Sequence, residues 1–518
     1  MEALKRFLAI LLADLRERTR SPRFWVLLAL TMIGTWKCFP APEAHYLVVN
    51  IGHGQRGAYS SAWVGMVLAM VYSSLLSLGG FYVVRGTLVR DIETRVWQLL
   101  VATPMTRGGY LLAKWASHMA MFAVIIAAGL CVGLVAQFVR AEDRSIHLLE
   151  LVKPILLLNL PGLALTAMLA IWFDLLPWLR RTAGNVVFFI LWITLTSVSV
   201  AQLESPKPDS SAITGWRSDP NGMVMVARDV HRVREAQTGK PQGFGFSIGH
   251  TGIKQAPVIF EWKTWNVRAL DVLGRSFWLI GALFGVLLAA PVLDWAAARG
   301  STIGAARTHA GRRLRWLDRL LTLFARNPTG LLAAAELKLA LRQRPIWWWM
   351  AVVLAFGLQA FGEGMGMQCG MLLAWILPLD ILARGVLREV DHGTGGLVFV
   401  APDILRRLLA ARFLTGFVLL LTLSLPGLVR LSVTSPFAVL ALLGVCASIA
   451  SWGLSLGALC RTSRPFELLL IVAVYAALNG VPFFDLSLAP QVTAMWHLAL
   501  LLPAWLALAW SWPRLARH

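Results

Sequence analysis

The chain has 518 residues, of which 57% are hydrophobic and only 14% charged, with a mean hydropathy of +0.66. A soluble domain keeps roughly a quarter of its residues charged, so the composition excludes an ordinary water-soluble protein and points to an integral membrane chain. The formal net charge of +21 comes from basic residues set between apolar runs; this is the pattern of loops held against anionic lipid, and nucleic acid is not an expected partner.

Residues 1–23 are amphipathic, with Phe7, Leu8, Leu11, Leu12 and Leu15 on one side and Lys5, Arg6, Asp14, Arg16 and Arg18 mostly elsewhere. This predicts a helix lying on the inner membrane surface and no cleavable signal peptide. Apolar runs between charged or Pro/Gly breaks then give about twelve spans, since a helix needs about 20 residues to cross a bilayer. The first six are 22–39, 62–84, 112–138, 154–178, 183–202 and 274–296; the rest are 346–361, 367–387, 410–430, 436–459, 465–484 and 493–512. The first and seventh have the shortest apolar cores. With both termini cytoplasmic, roughly two thirds of the 48 Lys and Arg fall on the cytoplasmic side, which predicts a multi-pass protein of a bacterial-type inner cell membrane.

Between the fifth and sixth spans, residues 203–273 are polar and rich in Gly and Pro. Ser218-Asp219-Pro220 can start a helix there that runs to Gln237. The segment is long enough to fold as a small extracytoplasmic cap that could meet a partner; a passive linker is the alternative. Cys38, Cys131, Cys369, Cys446 and Cys460 show no metal-ligand spacing and read as small apolar residues. His45, His53, His231 and His250 are spaced too widely for a metal site, and none is expected.

The chain also matches itself. Arg85-Gly86-Thr87-Leu88 recurs as Arg384-Gly385-Val386-Leu387, and Val101-Ala102-Thr103-Pro104 as Val400-Ala401-Pro402. Leu111-Leu112-Ala113-Lys114-Trp115 recurs as Leu409-Ala410-Ala411-Arg412-Phe413, and Arg181-Thr182 as Arg461-Thr462. Upstream, Arg20-Ser21-Pro22 resembles Gln343-Arg344-Pro345. The landmarks keep their order, which predicts two repeats of about six spans each. An even number of spans returns the chain to its starting side, so the repeats are parallel and related by an axis along the membrane normal. The expected fold is therefore all-α integral membrane, with N-terminal surface helices and cytoplasmic coupling helices. Residues 1–298 form the first repeat, with its 203–273 insertion, 299–329 a basic cytoplasmic linker, and 330–518 the second repeat.

After the second span of each repeat comes a charged stretch broken by Pro. The first contains Arg90, Asp91, Glu93, Thr94, Arg95 and Thr103-Pro104; the second contains Arg388, Glu389, Asp391, His392-Gly393-Thr394 and Pro402. This order of charged residues, Gly-Thr, apolar stretch, Thr-Pro and Lys-bearing third span resembles the permease subunits of type-2 ABC transporters. The closest matches are His392-Gly393-Thr394 and Thr103-Pro104 with Lys114. The first repeat has Glu93-Thr94 in place of Gly-Thr, and the second has Ala401 before Pro402. The resemblance implies a permease of an ATP-driven exporter or related machine. It also implies about two copies of a separate ABC ATPase subunit, carrying ATP and Mg, docked on these two segments. The chain itself has no Gly-x-x-x-x-Gly-Lys-Ser/Thr loop; Gly52-His53-Gly54-Gln55-Arg56-Gly57 lacks the Lys-Ser/Thr. It is expected to hold no cofactor and to catalyse nothing on its own.

Charges inside spans are functional candidates because of their cost. Asp174, Asp380, Arg384 and Glu467 are the clearest. Asp380 is one turn from Arg384, Asp174 is close to Arg180 and Arg181, and Glu467 follows Arg464 by one turn, so local ion pairs are expected. No chain of Asp, Glu and His crosses the spans, which argues against an ion-coupled secondary transporter. Trp347-Trp348-Trp349, Trp510 and Trp512 read as interfacial anchors. A further alternative is a membrane enzyme acting on lipid or a lipid-linked substrate through Asp219, Asp229, His231 and Glu235, although their Arg neighbours suggest a solvated charged helix.

Overall fold

The computed structural model describes residues 2–20, 22–41, 46–51, 55–93, 106–180, 182–204, 219–238, 247–251, 257–295, 327–342, 344–391, 393–394, 398, 403–478, 483–487 and 489–515. The chain divides into two compact units, Met1–Ala305 and Ala306–His518. Among the described residues, eight helices are long and apolar enough to cross a membrane, and a ninth span results if one bent pair is counted as a unit. The protein is thus an all-α membrane protein in its transmembrane part.

In the first unit, α1 (Glu2–Thr19) precedes α2 (Pro22–Lys37). The α1 face that bears Ile10 packs on a core of Leu88, Ile92, Tyr110, Leu111, Ile171 and Leu175. Leu4, Leu8 and Leu12, one turn apart, stay exposed on its other side. One candidate span is built from α3 (Ser61–Val71), a π-helical turn (Tyr72–Leu76) and α4 (Ser77–Val84), and ends in α5 (Thr87–Glu93). Then follow α6 (Arg107–Arg140), α7 (Leu148–Pro154), a second π-helical turn (Ile155–Asn159), α8 (Leu160–Leu175), α9 (Thr182–Glu204), α10 (Met223–Thr238) and α11 (Ala269–Leu288).

The second π-turn has a local cause, and both have distant supports. Pro154 and Pro161 flank the second one and remove two backbone donors from the helical ladder. Carbonyls released from such a ladder cannot turn to water inside a bilayer, so side chains must take them. Trp192 Nε1 of α9 donates to Ser74 O at 3.0 Å, and Arg275 of α11 donates to Leu157 O at 2.8 Å and Leu158 O at 3.1 Å. The remaining Arg275 nitrogen, Nη1, donates to Pro220 O at 2.7 Å and Asp219 O at 3.3 Å.

The insertion after α9 folds together with the loop after α2. β1 (Tyr46–Asn50) pairs antiparallel with β3 (Ser247–Thr251), and β2 (Gln55–Gly57) pairs parallel with β4 (Val258–Phe260). These strands were not expected from the sequence. The helix expected from Asp219 begins at Met223, because Asp219 is its cap. Its carboxylate accepts from the N–H groups of Met223 (2.9 Å) and Val224 (2.8 Å), the usual way to satisfy the free donors of a first turn. Nor is α10 a solvated charged helix. Met223, Val226, Ala227 and Val230 are buried, as are Asp229 and Arg234; Asp229 accepts from Trp262 Nε1 at 3.1 Å, and Arg234 donates to Ile51 O at 3.0 Å. Burial pushes the Asp219 carboxyl up, against the pull of nearby Arg275 and the helix N–H groups.

The second unit contains α12 (Pro328–Arg342), α13 (Ile346–Phe361), α14 (Met365–Ile376), α15 (Leu379–Arg384), α16 (Arg388–Asp391), α17 (Ile404–Leu423), α18 (Leu425–Thr434), α19 (Pro436–Cys460), α20 (Arg464–Leu478) and α21 (Pro490–Leu515). The expected span 410–430 is not straight: α17 and α18 meet at 67°, where Pro426 denies the ladder a donor. Gln359 of α13, fully buried, repairs the break. Its Nε2 donates to Leu423 O at 3.0 Å and Gly370 O at 3.2 Å, while its Oε1 accepts from Gly427 N at 3.1 Å.

Three of the expected spans are shorter than a bilayer. α2 and α13 have 16 residues and α20 has 15. At 1.5 Å per residue their described lengths reach only about 22–24 Å, against a hydrocarbon core of about 30 Å.

The ion pair of Arg56 with Glu142 ties β2 to the end of α6. The two side chains meet at 2.5 and 2.8 Å, and Tyr59 N donates to the same carboxylate at 2.9 Å. Burial would raise the Glu142 carboxyl, but hydrogen bonds from Arg56 and Tyr59 outweigh it and hold the group below the ordinary carboxylate range. A carboxyl lowered by folding stabilises above its unfolded pKa and loses that contribution as pH falls through the lowered value. Glu142→Gln is therefore expected to melt below wild type in detergent at neutral pH, with the gap closing as the pH is taken below about 4. A gap that stays constant down to pH 3 would contradict the assignment.

Candidate coupling site

In the first unit, Lys114 sits two turns into α6 and is buried, with 5% of its side chain exposed. A buried ammonium must be paired and hydrogen-bonded to be tolerated. Lys114 Nζ lies 2.9 Å from Asp14 Oδ1 of α1 and 2.7 Å from Asp91 Oδ2 of α5. Ser117 Oγ donates to Asp14 Oδ2 at 3.2 Å, and the Tyr110 hydroxyl donates to Asp91 Oδ2 at 2.6 Å. Both acceptors are therefore shared between the cation and a neutral donor one turn away on the same helix. One residue earlier in the coupling segment, Arg90 pairs with Glu17 of α1, with both side chains more than half exposed.

In the second unit, the residue that the match of Leu111–Trp115 with Leu409–Phe413 sets opposite Lys114 is Arg412 of α17, with 2% of its side chain exposed. Arg412 pairs with Glu389 of α16 and lies 3.7 Å from Glu336 Oε1 of α12. Arg388, next to Glu389, reaches Glu336 Oε2 at 2.5 Å. Each unit thus repeats one plan. A buried cation in α6 or α17 gathers one carboxylate from α1 or α12 and another from α5 or α16. An adjacent arginine, Arg90 or Arg388, makes a further pair to the same α1 or α12 helix.

The hinge into α5 is set by Gly86 and Asp174. Gly86 has φ +87°, a left-handed conformation open to glycine. Its N–H donates to Asp174 Oδ2 at 2.7 Å, Leu88 N donates to the same oxygen at 3.3 Å, and Arg85 Nε lies 3.8 Å from Oδ1. Asp174 is thus tied to the α5 entry rather than to Arg180, which donates to the Asp174 backbone carbonyl at 2.7 Å; Arg181 lies outside the described residues. The expected pairing of Asp380 with Arg384 is also corrected. Asp380 Oδ2 pairs with Arg344 Nη1 at 2.6 Å, while Arg384 is exposed. Arg344 follows α12 and stacks over Trp348, so its reach across the hairpin wins over the one-turn neighbour. Glu467 is buried in the first turn of α20.

Other expected coupling residues fall where little is described. Thr94, Arg95, Thr103, Pro104, His392 and Pro402 lie outside the described residues, and for Glu93 and Asp391 the helical backbone alone is described. Gly393 has φ +63°, and Thr394 N folds back to Glu389 O at 2.9 Å. Asp14, Glu336, Tyr110 and Arg344 were missed by sequence reasoning as members of the site. The alignment of Lys114 with Arg412 was the available signal, because a basic residue at matched depth in two spans demands acidic partners.

Removing one member of a buried ion pair commonly costs about 3–5 kcal/mol. Lys114→Met and Arg412→Met should each lower the melting temperature in detergent, with partial recovery on adding Asp91→Asn or Glu389→Gln respectively. Arg90→Ala removes an exposed pair and should change stability by less than about 1 kcal/mol. Wild-type melting by both methionine variants would show that the clusters hold nothing together.

Compared with known proteins, the chain matches no family model, no curated protein and no solved structure.

Proposed function

We propose that the chain is the membrane-spanning permease of an ATP-driven transporter of the type-2 ABC kind, an exporter powered by separate ATPase subunits. The observation that carries the reading is the repeated cluster, Lys114 with Asp14 and Asp91, and Arg412 with Glu336 and Glu389. Each locks the segment after a second span to the surface helix and to the third span. A push delivered to that segment from a soluble partner would then move two membrane helices together, since buried ion pairs do not slide apart cheaply. The same plan at aligned positions supports two repeated units of about six spans, the three short helices α2, α13 and α20 being the spans that complete the count.

The competing readings find less to work with. An enzyme at the insertion would need free, converging carboxylates. Asp219 instead caps α10, and Asp229 holds Trp262. An ion-coupled carrier would need membrane carboxylates able to exchange protons or cations. Asp174 is bound to backbone N–H groups and Asp380 to Arg344.

The test is affinity purification of the tagged chain from native membranes in mild detergent, with mass spectrometry of what copurifies. A P-loop ATPase at about two copies per chain is expected, in keeping with two docking segments. Its loss is expected when Arg95→Glu and Thr394→Trp are combined, while Arg144→Glu, in the loop between α6 and α7, leaves it in place. A chain that purifies without any ATPase, even after crosslinking, would overturn the reading.

A further inference from the structure

The two π-helical turns of the first unit lie just before Ser77 and just before Pro161, and a groove opens beside them on the membrane-spanning part of the bundle. Its lining includes two leucine pairs, Leu165 and Leu169 on α8 and Leu191 and Leu195 on α9, together with Phe188, Trp278 and Thr196, whose hydroxyl accepts from Asn221 Nδ2 at 3.4 Å. Each pair is one helical turn apart, so each forms a stripe along its helix. All four are half-buried, while the floor residue Trp192 is buried. Asn221, from the turn that precedes α10, also lines it.

The chemistry of the floor restricts the ligand. Trp192 Nε1 donates to Ser77 Oγ at 2.9 Å and to Ser74 O, and Thr166 Oγ1 donates to Gly162 O at 3.0 Å. These donors are already engaged, so the interior offers little to a polar molecule, and ordered water needs two to four polar partners. Two parallel leucine stripes suit a linear apolar chain better than a compact polar solute. The apolar surface also continues outward, through exposed Ile190 beside Leu191 and exposed Leu273, Phe277 and Ile280 on α11. That continuity leads from the groove to a surface of the kind that meets lipid tails.

We propose that this groove is a binding site for one acyl chain of a bilayer phospholipid, with the polar end of the lipid toward Asn221. The occupant follows from the apolar walls, the satisfied floor and the open path along α9 and α11. Gly162 explains how the space is kept: it lines the groove, and a Cβ built on it would meet nothing within 4 Å. A larger residue there would fill the groove without displacing backbone, and replacing a helical glycine favours the helix.

The test places the full chain in vesicles of phosphatidylcholine that carries a photoactivatable diazirine on one acyl chain, followed by mass-spectrometric mapping of the crosslinks. Labelling of the α8 and α9 groove residues is expected several-fold above that of exposed Phe277 and Ile280. Gly162→Leu should remove the excess while the melting temperature stays at or above that of wild type. Labelling spread evenly over the exposed apolar faces, or a groove signal unchanged in Gly162→Leu, would overturn the proposal. The readout needs no ATPase, so it stands or falls separately from the transporter reading.

Discussion

A cation placed among apolar helices keeps its charge only if the fold surrounds it with acceptors, and buried cations among the described residues organise this protein on that condition. Lys114 and Arg412 gather carboxylates from two other segments each. Arg275 and Arg234 gather backbone carbonyls. The acceptors come from far along the chain, so each cation acts as a tie between segments that hydrophobic packing alone would leave free to slide. Helices in lipid have no hydrophobic drive to associate with one another; specific polar ties of this kind set which faces meet.

The same rule governs backbone. Both π-turns of the first unit and the 67° bend of the second would each strand carbonyl or amide groups in hydrocarbon. In each case a long polar side chain from a neighbouring helix arrives to take them: Trp192, Arg275 and Gln359. These residues carry no helical pattern and sit singly in apolar runs. For Arg275 and Gln359 the need is set by a proline on another helix, and for all three the pairing of break with repair can be seen only once both are in space.

That separation explains how much could be read from the chain. Span positions were legible because hydropathy is local, and so was the Asp219 start of α10, which a short motif encodes. The self-match of Leu111–Trp115 with Leu409–Phe413 exposed Lys114 and Arg412 as counterparts. Their partners were hidden, because nothing in the spacing of Asp14 or Glu336 says which distant cation it will meet. Asp380 shows the same limit: Arg384 is nearest along the helix, yet Arg344 reaches it across a turn. The strands were hidden for a related reason, since Tyr46–Asn50 is a short apolar run whose hydrogen-bonding partner begins at Ser247. The bend at Ser424 had a visible cue in Pro426, but proline within a span does not by itself decide between a kink and a tolerated defect.

The pairing of β1 with β3 also sets an order of events during synthesis. β1 emerges early, but β3 lies beyond α3 to α10, so the strand must wait while that whole stretch is made and threaded. Contacts between residues so far apart in sequence form late, after the cost of closing the intervening loop has been met. Until then the Tyr46–Asn50 edge is unpaired, an aggregation and proteolysis hazard of the kind that strand edges present. Its closure marks the moment at which the α9 span and the insertion have both been delivered, which makes the cap a built-in record that the first unit has been assembled through α10.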